Sequence, residues 1–209
     1  LIASEFMPVS LLTPMAASLG VSEGWAGYGL SISGAFAVIT SLSIPALAGT
    51  MNRKTLLLAL TGIMGISGAI VALAPNYATY MIGRALIGVV IGGFWSMSAA
   101  TAMRLVPPDQ VSRALAVFNG GNALATVIAA PLGSYLGSVI GWRGAFLCLV
   151  PVAVVALTWQ WASLPTMIAE RSNGSGNVFR LFKRPSVALG MASCGAFFMG
   201  KLAFFTYVR

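Results

Sequence analysis

Histidine is absent from these 209 residues, cysteine occurs twice and only four side chains are acidic. Without His, and with Cys148 and Cys194 both inside apolar stretches, His-based catalysis, His-containing metal sites and a disulfide framework are excluded. The two thiols read as small packing hydrophobes. The shortage of charge excludes more: charged residues make up 8% of the chain, against about a quarter in soluble globular proteins. Mean hydropathy is +0.90, and a soluble fold is ruled out. What the chain has in place of charge is apolar length. Seven charge-free stretches cover residues 6 to 22, 24 to 52, 55 to 83, 85 to 103, 114 to 142, 144 to 169 and 185 to 200. Most reach the roughly 20 residues that cross a bilayer, so the expected fold is an all-α, polytopic transmembrane bundle.

The net charge of +8 would suggest nucleic acid in a soluble chain. Here the cations sit between apolar spans and read as topology, with the lipid bilayer as partner and no nucleic acid. Spans are expected at 1 to 19, 25 to 48, 55 to 74, 78 to 103, 112 to 138, 143 to 162 and 187 to 208. The connections Gly20 to Gly24 and Pro75 to Tyr77 are short and nearly uncharged. The others carry Arg53 and Lys54, then Arg104 and Arg113, then Arg171, Arg180, Lys183 and Arg184, while Arg143 lies on the opposite side. By the positive-inside rule the N-terminus and the three basic connections are cytoplasmic. Residues 1–19 lack a basic leader and carry Glu5, so they do not read as a signal peptide. A start at Leu1 and an end just past an apolar run are expected of a fragment.

The third basic connection differs from the rest. Ser172-Asn173-Gly174-Ser175-Gly176-Asn177 has flexible-linker composition, and a basic, amphipathic run to Arg184 follows it. Three segments are therefore expected: a six-helix bundle at 1–162, a cytoplasmic inter-bundle loop at 163–186, and a seventh helix at 187–209 that opens a second bundle. An ordinary solvated loop whose cations only set topology is compatible with the same residues.

Small residues recur four apart in Gly88 and Gly92, in Gly133, Gly137 and Gly141, and in Gly29, Ser33, Ala37 and Ser41. That spacing lets transmembrane helices approach closely, which is packing rather than chemistry. Pro45 and Pro131 lie within or near the ends of spans and would bend them, either as static kinks or as part of a rocking motion.

Three ionisable residues cannot be assigned to a connection: Glu5, Arg84 and Lys201. A charge at bilayer depth costs about 2.5 to 3.5 kcal/mol on insertion scales and normally faces a cavity or a partner. Glu5 is the only intramembrane carboxylate and the candidate proton carrier. Counted along a continuous first span, it lies about 20 Å from the outer end, while Arg84 lies about 10 Å in from the same side. Two long side chains would partly close that gap, as an ion pair or a shared proton path. The alternatives are that Arg84 satisfies helix-end carbonyls and that Glu5 is interfacial; Lys201 can snorkel from a helix end. Polar groups also align on single faces: Gly88, Gly92 and Ser96 beside Trp95, Ser98 and Thr101 on one helix, and Asn119, Asn122 and Thr126 on the next. Such faces either bond a neighbouring helix or line a cavity. Trp95, Ser96, Asn119, Asn122 and Lys201 are the candidate cavity residues, and amides with a Trp ring would suit a planar, hydrogen-bonding solute such as a nucleobase or a drug.

Arg84-Ala85-Leu86-Ile87-Gly88, followed by Gly92, resembles the fourth-helix motif of the major facilitator superfamily. Pro131-Leu132-Gly133-Ser134-Tyr135-Leu136-Gly137, followed by Gly141-Trp142-Arg143-Gly144, is similar to that superfamily's antiporter motif in helix five and the start of helix six. Together they point to its drug:proton antiporter branch. The resemblance covers nearly the whole chain. It implies twelve helices in two bundles of six, a solute site between the bundles, transport by rocking, and helices one and four lining the cavity. It further implies a monomeric protein of the bacterial inner membrane, without cofactor or metal, whose second bundle is mostly missing here. This chain departs from the pattern at Asn52, which stands before the basic pair Arg53-Lys54 where an acid is usual, at Ala130 before Pro131, and at Lys201. A polytopic membrane enzyme would need a catalytic constellation, for which one buried carboxylate and no His leave little. A non-transporting structural or receptor role is the other alternative, so the expected function is proton-coupled efflux of a small organic solute.

Overall fold

The computed structural model describes residues 1–47, 51–167 and 185–207, and for residues 45–47, 198 and 201–207 the backbone alone. The elements are α1 (Ile2–Ser10), α2 (Leu12–Leu19), α3 (Glu23–Leu47), α4 (Arg53–Ala72), α5 (Tyr77–Arg104), a 3-10 turn (Pro108–Gln110), α6 (Val111–Leu147), α7 (Leu149–Ser163) and α8 (Pro185–Tyr207). No strand occurs among the described residues. Contacts divide the chain into two units, Leu1–Glu170 and Arg171–Arg209. The second contributes α8, which opens on a proline where a missing N–H has no consequence. Most of the expected loop, with Arg171, Arg180, Lys183 and Arg184, lies outside the described residues.

The helix ends follow from local chemistry. Asn76 caps α5 by accepting from the Thr79 N–H at 2.9 Å, and Asn52 caps α4 by accepting from the Lys54 N–H at 3.0 Å. Gly20 closes α2 at φ 65°, a left-handed conformation that glycine adopts without a Cβ clash. Among the described residues four helices are long and apolar enough to cross a bilayer, or five if α1 and α2 together form one broken span. The expected fifth and sixth spans part at Gly141, where φ 74° and ψ 166° interrupt the helix.

The first span is not the continuous helix expected over residues 1 to 19. It breaks at Leu11, and α1 and α2 meet at a bend of 75°. Pro14 supplies the reason: its ring occupies the space of the Ser10 carbonyl one turn earlier, so a helix cannot run through, whereas as the third residue of α2 it needs no intrahelical donor.

Two apolar clusters hold the first unit together. One joins Met7, Leu11 and Met15 of the broken span to Tyr80, Trp142 and Phe146; the other joins Ile44, Leu57, Leu60, Val90 and Met97. Elsewhere large apolar side chains point outward, among them Val117, Leu124 and Val127 of α6 and Trp159 and Trp161 of α7. In water such a surface would aggregate; against hydrocarbon it has nothing to lose.

Candidate functional site

The small-residue stripes of α3 and α5 pack against each other. A Cβ on Gly88 would meet the Ser33 backbone and Phe36, and one on Gly92 would meet the Ala37 carbonyl, while Gly29 lies under the Tyr80 ring. Backbones brought this close gain dispersion contacts that lipid would otherwise supply only to the outer face of each helix. The seam is also hydrogen-bonded. Ser33 Oγ lies 2.7 Å from the Arg84 carbonyl and 2.8 Å from that of Gly29, its single proton serving one at a time. Tyr80 donates to the Ala26 carbonyl at 3.2 Å.

Arg84 sits in this seam at 1% exposure. Its Nε donates to the Gly29 carbonyl at 3.1 Å and its Nη1 to the Ser4 carbonyl at 2.9 Å. The Ser4 carbonyl is free for a definite reason: in an α-helix it would accept from residue 8, and Pro8, buried inside α1, has no N–H. A proline thus leaves an acceptor on α1, and an arginine eighty residues away takes it. Nη2 is buried and has no hydrogen-bond partner among the described residues. Glu5, the next residue of α1, is half-buried and interacts electrostatically with Arg84.

The break removes the basis of the depth expected for Glu5: with α1 and α2 meeting at 75°, residues 1 to 19 do not advance about 1.5 Å per residue along one axis. In the structure α1 and α5 meet directly, through Arg84 Nη1 on the Ser4 carbonyl at 2.9 Å.

Of the five candidate cavity residues, two come together. Trp95 and Asn122 line one 290 Å³ cavity with Phe94, Phe118 and the first residues of α1. The Trp95 and Phe118 rings meet edge to face, centroids 5.9 Å apart. Ser96 and Asn119 are exposed and bonded to their own helices, to the carbonyls of Gly93 and Leu115 at 2.9 Å each. Lys201 lies on α8, its side chain outside the described residues. A second cavity of 190 Å³ shares Phe94 and Phe118 as walls and adds Ser98, Thr101 and Gln160. Gln160, which accepts from Thr61 Oγ1 at 3.0 Å, went unnoticed in the sequence although it is the only amide between Gly144 and Ser163.

The motif residues knit helices together. Gly133 and Gly137 of α6 receive the Met7 side chain of α1 and the Leu11 side chain at the break, and Pro131 lies inside α6 without breaking it. Trp142 is buried edge-on to Phe146, while Arg143 stacks on the Trp142 ring at 4.3 Å and donates to Ser18 Oγ at 2.5 Å and the Ala74 carbonyl at 3.0 Å. One arginine therefore ties the ends of α2 and α4 to the Gly141 break. At the other end of the bundle Arg53 and Lys54 open α4, and Asn52 Oδ1 accepts from the Met167 N–H at 3.2 Å as well as capping the helix. The amide standing where an acid is usual thus bonds backbone.

The described residues thus form a helical bundle with glycine-stripe seams, a buried arginine on α5 against a proline-broken first segment, and a Gly-Trp-Arg corner. The chain belongs to the Major Facilitator Superfamily, whose profile matches residues 1–208. It is 70% identical over 213 aligned residues to the transcription regulatory protein OpdE of Pseudomonas aeruginosa. It is 44% identical over 209 residues to the purine ribonucleoside efflux pump NepI of Shigella sonnei and of Escherichia coli K12. In each case the whole of this chain aligns with 53% of the relative, so it spans about half the length of the curated relatives it matches. The family resemblance read from Arg84 to Gly92 and from Pro131 to Arg143 is borne out.

Proposed function

We propose that this chain is the first six-helix bundle, together with the first helix of the second, of an inner-membrane exporter that exchanges protons for purine ribonucleosides or related planar solutes. The observation that carries the reading is the meeting of α5 with α1, where a guanidinium at 1% exposure is held on the carbonyl preceding the one carboxylate of the first span. A cation buried this deeply between apolar helices marks a candidate functional path. Proton and arginine compete for the Glu5 carboxylate, and a motion that separates α1 from α5 would hand the carboxylate to the proton. The solute site lies at the Trp95 and Asn122 cavity, closed by the second bundle of the same chain; the working unit is a monomer, with its N-terminus cytoplasmic.

The test uses the full-length protein in everted vesicles. Glu5→Gln keeps the shape and removes titration, and should abolish proton-driven accumulation of labelled adenosine or inosine while binding persists. Accumulation at the parent rate would sink the assignment of Glu5. The name of the Pseudomonas aeruginosa relative brings a second reading, control of transcription. With four helices, or five if α1 and α2 form one span, long and apolar enough to cross a membrane among the described residues, such control would act through the solute that is moved, and it should then vanish in the same Glu5→Gln variant.

A further inference from the structure

Among the described side chains lining the cavity between α1, α5 and α6, Asn122 carries the one buried polar atom without a hydrogen-bond partner. Asn122 follows Phe118 by one turn on α6 and lines the same space. Its Oδ1 is buried and has no partner among the described residues. The other polar groups near it are already committed: Thr126 Oγ1 donates to the Asn122 carbonyl at 2.9 Å, Ser96 Oγ to that of Gly93 and Asn119 Nδ2 to that of Leu115. A buried carbonyl oxygen left unpaired is destabilising, and native proteins rarely retain one without a use. A carboxamide whose oxygen makes no bond is not held in one orientation by that oxygen, and a turn about its terminal torsion presents either the oxygen or the NH₂ to the cavity.

Resting on the ribonucleoside reading, we infer that Asn122 reads the hydrogen-bonding edge of the transported base. The heterocycle lies along the apolar wall that Trp95 and Phe118 form, and the carboxamide faces its edge. A carboxamide offers an acceptor and a donor side by side. Adenine answers with its exocyclic N–H beside a ring nitrogen, and hypoxanthine with its ring N–H beside a carbonyl, so either fits. An unsubstituted purine carries the same rings but no N–H on that edge and leaves the Asn122 oxygen unpaired. Discrimination follows from that unpaired group rather than from shape.

The experiment measures equilibrium binding of adenosine, inosine and unsubstituted purine riboside to the full-length protein in proteoliposomes. Asn122→Leu, similar in volume and apolar, should weaken adenosine and inosine about ten- to a hundredfold and leave purine riboside within about twofold. Asn119→Leu should leave all three unchanged, and Asn122→Thr, measured beside the Leu variant in case the latter does not insert, should repeat its pattern. Equal loss of all three ligands, or loss of none, overturns the assignment while the ribonucleoside reading stands. A parent protein that binds none of the three overturns both.

Discussion

The pairing of Pro8 with Arg84 can be measured as a free energy. The Ser4 carbonyl belongs to a residue 3% exposed, receives no helical N–H because residue 8 is proline, and is met by Arg84 Nη1 at 2.9 Å. Arg84→Met removes that donor and leaves the oxygen buried without a partner, which costs about 1 to 3 kcal/mol. The Gly29 carbonyl loses Nε in the same variant but still has Ser33 Oγ at 2.8 Å, so its share is smaller. In a Pro8→Ala background the N–H of residue 8 returns to the Ser4 carbonyl, and the Arg84→Met cost falls by the orphaned-carbonyl contribution. Interhelical hydrogen bonds in membranes rarely exceed about 1.7 kcal/mol in mutant cycles, so the coupling expected between the two substitutions is about 1 to 2 kcal/mol, with the double variant more stable than the sum of the singles. The assay is reversible unfolding of the full-length protein in detergent, for the parent, both single variants and the double. Either single effect alone is ambiguous, since Met in place of a buried cation can be neutral and Ala in place of Pro alters the course of α1. The cycle removes both. A coupling within about 0.3 kcal/mol of zero, or one of opposite sign, would refute the claim that Pro8 supplies the acceptor for Arg84.

Gly92→Val places side-chain atoms into the Ala37 carbonyl and should destabilise by about 1 to 3 kcal/mol in the same unfolding assay, whereas Gly120→Ala, with nothing within 4 Å, should be neutral or slightly stabilising. Gly141→Ala meets no neighbour but forces φ 74° and ψ 166° on an L side chain, and should cost about 1 to 3 kcal/mol by backbone strain alone; a neutral result would show that the corner adopts another conformation. For orientation, a reporter fused after Arg184 should be cytoplasmic and one fused after Ala74 periplasmic, and the reverse result would exchange the two mouths of the proposed path.

An all-helical membrane fold was legible because transfer from water to hydrocarbon is local: a charge-free run of about 20 residues needs no tertiary partner to be recognised. The glycine and small-residue stripes were legible for a similar reason, since a spacing of four defines a face. What faces it is a different matter. Only packing decided that Gly88 meets Ser33 and that Gly133 meets Met7, because periodicity sets a direction around one helix and says nothing of a neighbour's rotation or register. The broken first span had its signal in Pro8 and Pro14, but the 75° turn and the meeting of Arg84 with the Ser4 carbonyl came from the fold. The two amides of α6, three residues apart, looked equivalent in sequence; the rotation of that helix turned Asn122 into the 290 Å³ cavity and left Asn119 out of it, bonded to the Leu115 carbonyl of its own helix. Composition decided the solvent of this protein, and the contacts between helices decided which of its few polar groups could do chemistry there.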